Sequence, residues 1–306
     1  MAEEAMKYSN HIKEIPWRTD FPSFEFGALM EQPFFEFEGL SVRYGLCGKE
    51  GQLTEETDKQ HAHDYDQLLF FFSSDTSDML DLGAEIEMTI GERNERFLFR
   101  TPTAVSIPKG TPHFSAFVRN VSRKFIFFAV SCTSKCSATV LDPNLAPDAG
   151  PLARWNSDYK GNVLSLRFMK KGGYFYGSEV LEDSGGIFTS SVGAQSGLDL
   201  TMTWQSIHLP HNMGPRMQDL SHVAHVHNFN EALFFFGMDP DDPTQLGGVC
   251  EFCLGKEQEP HPISKPSAVL APKGFFHTPQ RFLEVDKPYI FVALSCSAEH
   301  HKTRRK

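Results

Sequence analysis

One pattern of metal-binding residue types occurs twice in this chain. His61, Ala62 and His63 are followed by Gln67 and then by Pro108-Lys109-Gly110-Thr111-Pro112-His113. His225, Val226 and His227 are followed by Glu231 and then by Pro272-Lys273-Gly274-Phe275-Phe276-His277. The differences 225 − 61, 231 − 67 and 277 − 113 all equal 164, and the register runs without a gap to Cys132 and Cys296. A chain built this way is constrained to fold as two similar domains, with the histidines at equivalent points of each.

The length of 306 residues agrees, since domains run to roughly 150 residues and each half is large enough to bury a core without staples. The sequence divides into an N-terminal arm and first domain over 1–141, a linker over 142–160 and a second domain over 161–306. The linker assignment rests on Asp142, Pro143, Pro147, Asp148 and Gly150. A net charge of −10 argues against a nucleic-acid partner. The basic tail Lys302-Thr303-Arg304-Arg305-Lys306 reads as a solvated terminus. No stretch has the character of a signal peptide or the ~20 apolar residues of a bilayer span, and the expectation is a cytoplasmic protein without a membrane partner. The six cysteines do not form a disulfide-like frame, which suits a reducing compartment.

Short apolar or alternating runs fill both halves: Gln67 to Phe72, Glu85 to Ile90, Glu95 to Arg100, Ala104 to Ile107 and Lys124 to Val130, with a matching plan from Thr201 to Cys296. Turn residues such as Gly83, Gly91-Glu92-Arg93-Asn94 and Pro108-Lys109-Gly110 separate them. Helical periodicity is weak, so the expectation is an all-β barrel or sandwich in each half.

Residues i and i+2 of a strand face the same side. His225 and His227 therefore project into one interior. Glu231 returns there after a turn or bulge, and His277 comes from a neighbouring strand placed by the Pro272-Lys273-Gly274 turn. Imidazoles with a carboxylate suit Mn(II), Fe(II), Ni(II) or Zn(II), with one or two positions open. The first copy offers His61, His63 and His113 with Gln67 in place of the carboxylate. It is a possible second metal site, weakened because a neutral amide does not offset the ion's charge.

The HxHx(3)E and PxGxxH patterns resemble the two sequence motifs of the cupin superfamily, and two copies in one chain resemble a bicupin. The resemblance implies two tandem cupin barrels, each a double-stranded β-helix or jelly roll. It implies a divalent ion, Mn(II) or Fe(II) before Zn(II) or Ni(II), on His225, His227, Glu231 and His277, and it implies a homodimer or higher homo-oligomer. Departures are Asp219 where a glycine is usual, Gln67 for the first glutamate, and Arg281 and Phe117 where the second motif often ends in Asn.

Arg281 lies four residues after His277, on the same strand face if no bulge intervenes. It is the candidate catalytic cation, placed to clamp a carboxylate, enolate or phenolate; otherwise it is a rim residue paired with Glu284 or Asp286. Glu87 and Glu251 are repeat-equivalent and either face inward or line the outer face. His208, His211 and His222 precede the second motif and are acid–base candidates. No Ser-His-Asp pattern or phosphate-cradling glycine loop occurs. The resemblance covers dioxygenases, decarboxylases, isomerases and hydrolases. The expectation is a metal-dependent enzyme that cleaves a carbon–carbon bond of a small oxygenated cyclic or phenolic compound, in a dioxygenase-like or hydrolytic reaction. The alternatives are a metal-dependent isomerase or decarboxylase, or a non-catalytic small-molecule-binding bicupin.

Overall fold

Phenylalanine-rich strands dictate the layering. Phe70, Phe71 and Phe72 are fully buried, as are Phe234, Phe235 and Phe236. Alternation sends Phe71 and Phe235 into the two barrel cores. Phe70 stacks on Phe72 at 5.7 Å on the opposite side of its sheet, and Phe234 stacks on Phe236 at the same distance. Each such side chain contributes about 1.5–3 kcal/mol by leaving water, so these strands are fixed on both sides.

The computed structural model describes residues 6–53, 57–75, 77–154, 156–166, 168–169, 186–187, 198, 200–212, 224–297 and 303–304. Their regular elements are strands plus two short 3-10 segments, Ser9–His11 and Lys160–Asn162. The all-β expectation holds.

In the first unit, one sheet runs Val163–Ser165, Thr103–Ile107, Gln67–Ser73, Phe125–Ser131, Ser41–Cys47 and Phe26–Met30 in spatial order. A second runs Gly51–Gln52, Phe117–Arg119, Glu85–Ile90 and Glu95–Phe99. In the second unit the corresponding large sheet runs Ile12–Glu14, Ser267–Ala271, Glu231–Gly237, Tyr289–Ser295 and Thr201–Ile207, then Gly186–Ile187 and Phe168–Met169. Facing it are Glu259–Ile263, Gly248–Leu254, His277–Val285, His225–Val226 and Thr303–Arg304. Among the described residues the named strands pair antiparallel, with Phe71 opposite Phe127 and Phe235 opposite Phe291, and an isolated bridge of Arg96 with Leu152 is parallel.

The compact units do not divide where the sequence does. The first is built on Pro16–Leu166, and the second on Asp199–Lys306 together with Met1–Ile15. Ile12–Glu14 pairs with Ser267–Ala271, with Ile12 opposite Val269. Val163–Ser165 pairs with Thr103–Ile107, with Val163 opposite Val105. Each arm therefore lies on the unit that its own sequence does not lead into.

The arms are themselves a repeat. Tyr8 packs against Gly255 and Tyr159 against Gly91. A Cβ on Gly255 would lie 2.1 Å from the Tyr8 ring, and one on Gly91 2.0 Å from the Tyr159 ring. Both glycines have positive φ, 74° and 85°, so no other residue fits there easily. The offsets 159 − 8 and 162 − 11 are both 151. That differs from the 164 of the barrels, which hides the arm repeat from a search at one spacing.

The stretch read as linker also packs. Thr139–Asp142 pairs with Gln60–Ala62. The Arg96 amide donates to Pro151 O at 2.9 Å, and Thr89 Oγ1 donates to Pro147 O at 2.9 Å. This segment lies over the outer face of the Glu85–Ile90 sheet, where Glu87 is bound by Arg96 at 2.8 and 3.0 Å and by Arg119 at 3.4 Å.

The Arg96 hydrogen bonds outweigh burial and hold the Glu87 carboxyl below its ordinary range. A carboxyl lowered by folding stabilises fully above the unfolded value of about 4.3, and that stabilisation is lost as pH falls through the folded value. Glu87→Gln is expected to cost about 1.5–3 kcal/mol near pH 7, the scale of hydrogen bonds to charged groups. The difference from the unaltered chain should vanish in strong acid. Urea midpoints at the two pH values check both statements.

Candidate metal centres

The two motifs meet across a backbone bridge. The His61 amide donates to His113 O and the His113 amide returns the bond to His61 O, both at 2.9 Å. His225 and His277 are paired in the same register in the second unit. The glycine turn is tied down from the other motif: Gly110 N donates to His63 O at 2.8 Å, and Gly274 N donates to His227 O at 2.9 Å. Lys109 N bonds Asp66 Oδ1 at 2.7 Å, and Lys273 N bonds Asn230 Oδ1 at 2.9 Å. Gly110 and Gly274 have φ of 79° and 80°, the left-handed conformation that this turn requires. Gly237, at the end of the motif strand, lets Gln245 O approach to where a Cβ would sit at 1.9 Å.

These constraints gather His61, His63 and His113 in one buried cluster, and His225, His227 and His277 in another. Within each, one ligand atom per residue lies within 4.8 Å of the others. Ring centroids are 4.2–5.0 Å apart in the first cluster and 4.6–5.1 Å apart in the second. Tyr65 stacks on His63 at 4.7 Å, and Phe229 stacks on His227 at 4.6 Å.

The outer ring nitrogens face acceptors. His61 Nδ1 lies 2.7 Å from Lys59 O, His63 Nδ1 2.7 Å from Ser137 O, and His113 Nδ1 3.0 Å from Thr111 O. His277 Nδ1 lies 3.1 Å from Phe275 O. His225 Nδ1 lies 3.0 Å from Thr278 Oγ1, whose own proton goes to His277 O. A proton on each Nδ1 satisfies these contacts and makes Nε2 the lone-pair atom, the arrangement of ligating imidazoles.

Glu231 separates the two clusters. Its Oε2 lies 3.0 Å from His277 Nε2 and 3.4 Å from His227 Nε2, and its Oε1 accepts from Ser295 Oγ at 3.0 Å. Burial alone would push this carboxyl up, but the contacts with His227 and His277 outweigh it and hold it well below the usual range. His277 thus has an acceptor at each nitrogen, while a neutral imidazole has one N–H. A cation between Nε2 and the carboxylate, a proton or a metal ion, resolves the conflict. The donor set fits a divalent ion on this ground. In the first cluster, Gln67 Nε2 bonds Ser131 Oγ at 3.3 Å, so Oε1 is the donor atom the amide offers. Burial, with His61 and His63 beside it, pushes His113 well below the ordinary histidine range and leaves it neutral.

Arg281 is not beside the cluster. A register shift between Phe252 and Leu254 puts Phe252 opposite Gln280 but Leu254 opposite His277. The extra residue reverses the alternation: Gln280 and Phe282 are buried, while the Arg281 side chain is 48% exposed. Arg281 Nη1 donates to Glu251 Oε1 at 2.7 Å. The four-residue count that put it on the face of His277 fails at this bulge, and its partner is neither Glu284 nor Asp286. Glu87 and Glu251 both sit on outer faces, since Ile86, Met88, Cys250 and Phe252 fill the cores between them. His208 Nε2 lies 3.2 Å from Ser206 Oγ, and burial lowers its pKa. His211 joins a short strand opposite Phe282. His222 and Asp219 lie outside the described residues.

Ser131 and Ser295, Asp66 and Asn230, and Tyr65 and Phe229 escaped the sequence reading. All three pairs obey the 164 offset (295 − 131, 230 − 66, 229 − 65), so the repeat carried the signal. Thr278 has no such counterpart.

Solved structures with this architecture include Bacillus subtilis oxalate decarboxylase. A tryptophan-to-tyrosine variant of it superposes with a TM-score of 0.58 at 10% identity, over 96% of this chain and 78% of that one. A serine-to-alanine variant gives the same values. A structure of the enzyme concerned with its Mn(II) centres gives 0.57 at 10% identity, with the same coverage. No protein-family model matches the chain, and no curated protein does. The chain thus has the bicupin fold, two cupin barrels in one polypeptide. Each barrel carries a three-histidine cluster whose ligand atoms lie close enough together to hold a metal ion. Among the described residues, no helix is long and apolar enough to cross a membrane.

Exchanging the fourth residue should exchange the centres' affinities. Glu231→Gln is expected to weaken Mn(II) binding to the second centre about 10- to 100-fold, the scale on which a ligand's surroundings set affinity. Gln67→Glu should strengthen the first by a similar factor. Equilibrium dialysis with Mn(II) checks both.

Proposed function

We propose that the chain is a metal-dependent bicupin enzyme that cleaves a carbon–carbon bond of a small, oxygen-rich compound in its C-terminal barrel. The observation that carries this reading is the buried group His225, His227 and His277, with the Glu231 carboxylate 3.0 Å from His277 Nε2 and 3.4 Å from His227 Nε2. A divalent ion held there supplies Lewis-acid stabilisation of negative charge developing on a bound substrate oxygen.

The chain's own groups do the rest. Ser295 holds Glu231 in one orientation, so the carboxylate stays on the cluster. The carbonyls of Phe275 and His277, the latter through Thr278, fix the imidazole rings. Phe252 lies parallel to His277 at 6.4 Å, and Phe235 and Phe291 pack behind it, so the wall beside His277 is apolar. Such a wall favours a cyclic or phenolic substrate cleaved with dioxygen or water.

A second reading is decarboxylation of a small carboxylate, itself a carbon–carbon cleavage. The fold neighbours favour it, being named oxalate decarboxylases.

Elemental analysis of native protein, with turnover of candidate phenolic and carboxylate substrates in air and under argon, tests these readings. The expected result is about one divalent ion or more per chain. Glu231→Ala should lower turnover by more than the ~10–100-fold typical of outer-shell changes, while Gln67→Ala has a smaller effect. Loss with Gln67→Ala alone would move the working centre to the first barrel. Carbon dioxide release from a carboxylate at equal rates without oxygen would select the decarboxylase reading over the oxygenase. Native protein without stoichiometric metal would point to a binding protein.

A further inference from the structure

The N-terminal arm reaches the turn that carries His277. The Ser9–His11 turn leads into Ile12–Glu14, which pairs with Ser267–Ala271, the strand that ends at the Pro272-Lys273-Gly274 turn. His11 Nδ1 lies 2.9 Å from Leu270 O, so it donates there and the ring is held at the strand's end. From this position the imidazole stacks face to face on Phe275, with centroids 4.0 Å apart and planes 15° apart. Tyr8 meets the same Phe275 ring edge-on at 5.6 Å. It is seated in the notch at Gly255, and its hydroxyl donates to Glu257 Oε2 at 2.7 Å.

Phe275 is one bond network away from the metal centre. Its carbonyl accepts from His277 Nδ1 at 3.1 Å. Its amide donates to Pro272 O at 2.9 Å, and the next carbonyl, of Phe276, accepts from Gly255 N at 2.8 Å. The orientation of the His277 ring therefore depends on where the Phe275 peptide sits, and that peptide lies in a turn whose Lys273 and Gly274 are exposed. The stacked ring of His11, beside the edge-on ring of Tyr8, is a contact from outside the barrel's own strands that limits its movement.

The first barrel has the same carbonyl but not the same lock. His113 Nδ1 lies 3.0 Å from Thr111 O, yet Thr111 offers no ring to stack on. The residue in place of His11 is Asn162, whose Nδ2 donates to Ser106 O at 3.0 Å and to Ser106 Oγ at 3.2 Å. The arms make equivalent backbone pairings, and only the arm on the Glu231 barrel adds an aromatic contact to the ligand turn.

We propose that His11 is a positioning residue of the second metal centre, acting through the Phe275 peptide on His277. This rests on the reading of His277 as a metal ligand. It assigns the N-terminal arm a part in metal binding at one centre alone.

The test uses the full chain in two backgrounds, His113→Ala to silence the first centre and His277→Ala to silence the second, with Mn(II) affinity measured by equilibrium dialysis and electron paramagnetic resonance. In the first background, His11→Ala is expected to weaken Mn(II) binding by about tenfold or more, as loss of an outer-shell contact does. In the second background it should change nothing. His11→Phe keeps a stackable ring and should restore most of the affinity, while Phe275→Leu, which removes the other ring, should lose it again. Asn162→Ala should leave the second centre unchanged. An affinity within twofold of the parent for His11→Ala overturns the proposal. So does equal weakening in both backgrounds, or His11→Phe behaving as His11→Ala. Absence of Mn(II) binding in the His113→Ala parent itself overturns the ligand reading, and this proposal with it.

Discussion

Everything at the two centres depends on one antiparallel pairing, of the first histidine of each HxH motif with the histidine that closes the glycine turn. His61 bridges His113 and His225 pairs with His277. Residues 52 positions apart in sequence (113 − 61 and 277 − 225) are thereby brought side by side. A directly opposed pair places side chains about 4.5–5.5 Å apart at Cβ, within reach of one ion. The turn glycines and the Asx side chains of Asp66 and Asn230 then set the register. A slip of one residue would turn every ligand to the other face.

On this common backbone the two barrels differ by charge. Ser295 donates to a carboxylate on Glu231, whereas Ser131 accepts from the amide of Gln67. The same serine thus serves opposite hydrogen-bonding roles, which a hydroxyl can do because it both donates and accepts. The second barrel carries a negative charge before any ion arrives. In the first, the neutral amide of Gln67 takes that place, and burial pushes His113 well below the ordinary histidine range. Duplication preserved geometry, and one side chain altered the electrostatics.

The arms add a further asymmetry. Both dock by the same tyrosine-on-glycine notch and the same side-chain bond to a strand carbonyl. The N-terminal arm belongs to the unit built on Asp199–Lys306, so the native pairing there includes chain from far along the polypeptide, whereas Val163–Ser165 pairs within Pro16–Leu166. In the N-terminal arm, Ile12 lies opposite Val269. Only the first arm ends in a ring, and it places that ring against a ligand-bearing turn.

The sequence by itself determined the duplication, the all-β class, the turn glycines and the three histidines of each cluster. All of these are local or periodic, and a constant offset exposes them. The fourth ligand type was equally legible, because Gln67 and Glu231 fall at the same repeat position. What only the tertiary structure decided lay where the count of residues ceases to track direction or distance. The bulge beside Thr278 turned Arg281 outward to Glu251, since one extra residue reverses strand alternation. The exchange of the arms, the packing of 142–154 on the first barrel and the approach of His11 to Phe275 depend on which distant segments meet. Loop closure and packing settle that, and neither leaves a period in the sequence.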